Sequence, residues 1–62
     1  MKVKIKSFNR ELPSYLTAGK AYQVIDSFDD RILLIQNDMN SISHIGLEYC
    51  HHLNGGSWEV VE

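Results

Sequence analysis

Two segments bracket this short chain and constrain what it can fold into. Leu16-Thr17-Ala18-Gly19-Lys20-Ala21-Tyr22-Gln23-Val24-Ile25 reads as a turn that launches a strand, and Ser57-Trp58-Glu59-Val60-Val61-Glu62 reads as a terminal strand. Only two further short β-like runs fit between them. The N-terminal Met1 to Ser7 adds a fifth run, with Val3 and Ile5 on one face and Lys2, Lys4 and Lys6 on the other. Such period-two alternation is the mark of a half-buried strand with a solvated face.

The connections follow from residue type. Phe8 to Ser14 loses the alternation and contains Pro13, so it reads as a loop. Ala21 to Asp26 is a strand with Tyr22 and Val24 inward, and Ser27-Phe28-Asp29-Asp30 is a turn whose aspartates can close it through side-chain hydrogen bonds. Arg31 to Gln36 is apolar enough to have both faces covered in part. Asn37-Asp38-Met39-Asn40 turns the chain into a strand over Ser41 to Ile45, completing a hairpin. In Leu47 to Leu53, the residues Leu47, Cys50 and Leu53 recur at spacing three, which allows one short helical turn too brief to stand alone. Several short strands with almost no helix predict an all-β fold: a small barrel of about five strands, a single domain over residues 1–62. Pairing the first strand with Trp58 to Val61 would close it and remove two edges.

Size limits what such a barrel can do. Sixty-two residues bury only about 60% of the surface of the unfolded chain, so stability is marginal and self-association is one remedy. Cys50 is the only cysteine, which excludes an intrachain disulfide; with no signal-like segment, this fits a reducing, cytoplasmic setting. No apolar run approaches the roughly 20 residues of a membrane span. Six basic residues against eight acidic ones argue against a dedicated nucleic-acid binder, although Lys2, Lys4, Lys6 and Arg10 crowd the first ten positions.

The run Leu16 to Val24 (Leu-Thr-x-Gly-Lys-x-Tyr-x-Val), the central Asp/Asn turn and the final Trp58-Glu59-Val60-Val61 resemble small SH3-like barrel proteins of bacteriophage and prophage origin. The resemblance covers Leu16 to Glu62 and implies an SH3-like barrel in which Tyr22, Val24, Trp58 and Val60 point inward. It also implies a non-enzymatic role in a bacterial host: binding a host or phage protein to inhibit or redirect it. No catalytic residues and no cofactor come with it. The chain departs from the pattern at Asn37-Asp38-Met39-Asn40, where a glycine is expected, and in its basic leading strand.

Residue chemistry supplies the rival readings. His44, Cys50, His51 and His52 are metal-ligand types, but consecutive side chains on an extended chain point apart and there is no second cysteine. Cys50 with a histidine, oriented by Asp26 or Glu48, has the makings of a nucleophilic pair, without a visible pocket to hold a substrate. Asp29-Asp30 lacks the spacing of a calcium loop, and Asn54-Gly55-Gly56 lacks the lysine of a phosphate loop, so it reads as a flexible turn. Neither metal nor catalytic residues are therefore assigned. Trp58 reads as the core anchor.

Three surface readings remain. The loop residues Tyr15, Phe28, Tyr49 and His51 are candidates for a partner-binding patch or for caps over the ends of the barrel. Lys2, Lys4, Lys6 and Arg10 are candidates for contact with a nucleic-acid backbone, or simply protect a sheet edge. A small-ligand or nucleotide-sequestering oligomer, with its pocket between subunits, is the third.

Overall fold

The computed structural model describes residues 1–62 and is all-β. Its strands are β1 (Lys2–Ser7), β2 (Tyr22–Ser27), β3 (Ile32–Gln36), β4 (Ile42–Gly46) and β5 (Ser57–Val60), with one 3-10 turn at His51–Leu53. They form a single sheet in the order β4-β3-β2-β1-β5, with every neighbouring pair antiparallel. The expected pairing of first and last strands is present, with Val3 opposite Val60 and Ile5 opposite Trp58.

This pairing places β1 inside the sheet, which corrects one reading of the lysines. Lys2, Lys4 and Lys6 do not protect an edge, because the edge strands are β4 and β5. The segment after β4 draws those two edges together. Leu47 N donates to Arg31 O at 2.9 Å, Leu47 O accepts from Trp58 N at 2.9 Å, and Cys50 N donates to Gly56 O at 2.7 Å. The sheet thereby wraps around one core.

Alternate residues of β1, β3 and β4 enter that core, as the two-residue period dictates, whereas β2 gives it only Tyr22 with Val24 packed alongside and β5 only Trp58; Val60, expected inward, is 52% exposed. Val3, Ile5, Tyr22, Leu33, Ile35, Ile45 and Trp58 come from strands; Leu16, Cys50 and Leu53 come from the connections. Trp58 packs edge-on against Tyr22, with ring centroids 5.8 Å apart. Its indole Nε1 is buried without an acceptor, so the ring is held by packing alone. On β3, Leu33 and Ile35 are buried while Ile32 and Leu34 are half-buried, matching the expectation of partial cover on both faces.

The one short helical turn expected near 47–53 is present, as a 3-10 turn at the end of that segment. Cys50 and Leu53 do face the core, but the helical turn spans only His51–Leu53. Leu47 is tied on both sides by strand-like bonds, and Tyr49 sits at φ 53°, which no right-handed helix can contain. Asn40, at φ 62°, occupies the left-handed position for which the resemblance expects glycine. Asn37 then closes the turn, its Oδ1 accepting from Met39 N at 2.9 Å and Ser41 N at 3.1 Å. Asn54-Gly55-Gly56 is packed rather than loose. A Cβ on Gly56 would lie 2.0 Å from Ser7 O, so this close approach of the turn to β1 requires glycine.

Candidate functional site

The residues of the Leu16 to Val24 run serve the fold. The Tyr22 hydroxyl accepts from Thr17 N at 2.7 Å and donates to the Asp38 carboxylate at 3.1 Å. Thr17 Oγ1 donates to the same carboxylate at 2.7 Å, Lys20 forms an ion pair with it, and Asp38 N donates to Tyr15 O at 3.0 Å. The β1–β2 loop is thus latched to the β3–β4 turn, with Leu16 buried beneath it. Charge follows geometry here. The Lys20 ammonium and the Thr17 hydroxyl hold the Asp38 carboxyl below its ordinary value, and the bond to Asp38 raises Lys20. Burial raises Tyr22.

A different surface forms around the 3-10 turn. Tyr49 projects its ring into solvent with 86% of the residue exposed, from a backbone in the left-handed region. It stands between two shallow depressions. One, of about 420 Å³, is lined by Arg31, Ile32, Gly46, Leu47, Glu48 and Tyr49; the other is lined by Tyr49, His51, Asn54 and Gly55. His51 also borders a third depression, shared with Glu11, Pro13, Tyr15, His52 and Asn54.

This loop is firmly held. Asn9 N donates to Leu53 O at 3.0 Å, Asn9 Nδ2 to Asn54 O at 3.1 Å, and Asn54 Nδ2 returns to Asn9 O at 2.9 Å. His52 joins two elements: its Nε2 lies 3.0 Å from His44 O and its Nδ1 2.7 Å from the Tyr15 hydroxyl. A carbonyl only accepts, so Nε2 carries a proton and donates it to His44 O.

The four partner-binding candidates therefore fall into two places. Tyr15, Tyr49 and His51 share the surface around the 3-10 turn. Phe28 lies apart, 70% exposed at the β2–β3 turn and stacked on the His44 ring with centroids 5.3 Å apart. His52 and His44, which the sequence offered only as ligand or base types, are the link between the two places. No local spacing announces that link, since it depends on the β3–β4 register and on the 3-10 turn.

The nucleic-acid candidates are partly neutralised. Lys2 Nζ lies 3.9 Å from Glu62 and Lys4 Nζ 3.8 Å from Glu59, whereas Lys6 and Arg10 have no ion pair. Cys50 is buried, and no three His, Cys, Asp or Glu side chains are grouped so as to hold a metal ion. No helix is long and apolar enough to cross a membrane. Comparison of the chain with protein-family models, with curated proteins and with solved structures returns no match.

Proposed function

We propose that the protein is a non-enzymatic protein-binding module: a phage-type accessory protein with an SH3-like barrel, acting in the bacterial cytoplasm on a host or phage protein. Tyr49 carries this reading. A left-handed backbone costs a residue with a Cβ about 1–2 kcal/mol, and an exposed ring gives the fold no burial in exchange. An aromatic knob between two depressions, beside His51 and Tyr15, has the form of an interface anchor. Its action is steric or competitive, covering the working face of the partner.

The test is affinity capture of tagged protein from bacterial lysate, with and without nuclease, alongside Tyr49→Ala. The expected result is one stoichiometric protein that survives nuclease and binds Tyr49→Ala about 30-fold or more weakly. Capture that disappears with nuclease and with Lys6→Ser and Arg10→Ser would replace this reading with nucleic-acid contact through the basic N-terminal surface.

A further inference from the structure

We propose that the outer face of β2, β3 and β4 is the contact surface of a two-fold dimer of this chain. The outer surface of the sheet divides sharply by charge. Across β1 and β5 it carries Lys2, Lys4, Lys6 and Glu59, side chains suited to water. Across β3 and β4 the outward positions are Ile32, Leu34, Gln36, Ile42 and His44, with no Asp, Glu, Lys or Arg among them. The β2 bulge sets Ile25 and Asp26 opposite Leu34, adding one isoleucine and a single carboxylate at the margin. Phe28 lies over His44 on this face.

Depletion of charge beside exposed aromatic and aliphatic side chains is the composition of an interface centre. Phe28, Ile42 and Ile25 are 70%, 60% and 50% exposed, so none is there to fill the core. With the neighbouring half-buried side chains they present on the order of 500 Å². Two copies would then bury about 1,000 Å² in total, the lower bound for a specific contact.

A second copy is the occupant that fits. A two-fold axis sets this face against itself without opposing like charges, and the sparsely charged face has little to offer a strongly charged foreign surface. The contact is face to face rather than edge to edge, because His52 already occupies the outward carbonyl of His44 on the β4 edge. A 62-residue chain also gains much from the added burial. Ile32 belongs both to this face and to the depression beside Tyr49, so the contact would border that depression, while Tyr49 and His51 themselves, carried on the loop after β4, would be displayed twice. The dimer does not depend on what that surface binds.

Sedimentation of the full chain between about 1 μM and about 1 mM tests this, with Phe28→Ser, Ile42→Lys and, as a control on the β1 side, Lys4→Ser. The expected result is a dimer of the 7.1 kDa chain whose dissociation constant rises about 30-fold or more in the first two variants and is unchanged in Lys4→Ser. Phe28 and Ile42 are exposed, so fluorescence of the buried Trp58 should confirm that both variants fold. A chain that stays monomeric throughout, alone or with another protein on this face, overturns the proposal. So does a dimer indifferent to both substitutions.

Discussion

Replacing Tyr22 with phenylalanine isolates the latch from the core. The ring is 2% exposed and packs edge-on against Trp58, and phenylalanine keeps both properties. Only the hydroxyl is lost, and with it the acceptor for Thr17 N at 2.7 Å and the donor to Asp38 at 3.1 Å. A neutral hydrogen bond contributes about 0.5–1.5 kcal/mol and one to a charged group about 1.5–3. Thr17 is exposed, so water can recover part of the first; the sum comes to about 2 kcal/mol. For a domain of this size that corresponds to a fall in Tm of roughly 8–16 °C. Urea unfolding followed through Trp58 fluorescence should show a lower midpoint at unchanged slope, since the buried area is the same. A double-mutant cycle with Asp38→Ala should give a clear coupling energy. Stability within about 0.5 kcal/mol of the parent would refute the latch, and would mean that water replaces the hydroxyl at no cost.

The same network fixes a pH profile. The Asp38 carboxyl is held below its ordinary 3.8 by Lys20 and then Thr17, so its contribution is present above 3.8 and is lost as pH falls through the lowered folded-state value. Lys20 is raised above 10.5 by Asp38, and Tyr22 above 10.0 by burial, so theirs is present below those values and lost as pH rises past them. The urea midpoint should decline at both extremes, and Asp38→Asn should shrink the acid decline; an unaltered acid limb would contradict the assignment. Gly56→Ala sets a Cβ 2.0 Å from Ser7 O and 2.7 Å from Phe8 Cα, both backbone, and should cost about 3 kcal/mol. Gly19→Ala, at φ 83° in open space, should cost only about 1 kcal/mol; equal losses at the two sites would refute the packing account of the turn. Tyr49→Asn tolerates the left-handed backbone and should leave stability unchanged or raise it by up to about 1 kcal/mol, while weakening partner capture. A loss of stability instead would give the ring a structural role.

The strands were legible because their signal is local. Val3 and Ile5 alternate with three lysines, and Ile32 to Ile35 is a short apolar run between turn residues. The β1–β5 pairing was expected too, although it leaves β5 as an edge strand rather than removing two edges, and Trp58 entered the core as its size required. What escaped depends on separations that no window spans. Thr17 meets Asp38 across 21 positions, and Lys2 meets Glu62 across the whole chain. Leu16 looks like part of a turn until the latch folds it inward. The candidate site divided for the same reason. Phe28 and Tyr49 are both loop aromatics in the sequence, but the sheet register sends one to the outer face of β4 and the backbone at Tyr49 sends the other into solvent.

Rigidity is what separates an exposed aromatic from a useful one. Ordering a mobile, rotamer-rich side chain on binding costs about 0.5–1.5 kcal/mol, and ordering a loop costs more. Here the loop is ordered beforehand. The reciprocal Asn9–Asn54 amide bonds and the bond from Asn9 N to Leu53 O fasten the 3-10 turn to the chain leaving β1. His52 fastens it to β4 and to Tyr15, and Tyr15 O is bonded in turn to the Asp38 turn. A five-stranded domain of 62 residues has few residues to spare for such fastening. Spending this many hydrogen bonds on the segment that displays Tyr49 and His51 is understandable if the segment must meet a partner already in shape. Asn9→Ala, which removes the Nδ2 bond to Asn54 O from a residue that lines none of the depressions beside Tyr49 and His51, should therefore slow no association step but weaken binding through faster dissociation. Unchanged dissociation would mean that the loop keeps its form without the clasp, and that Tyr49 owes its position to the backbone around it.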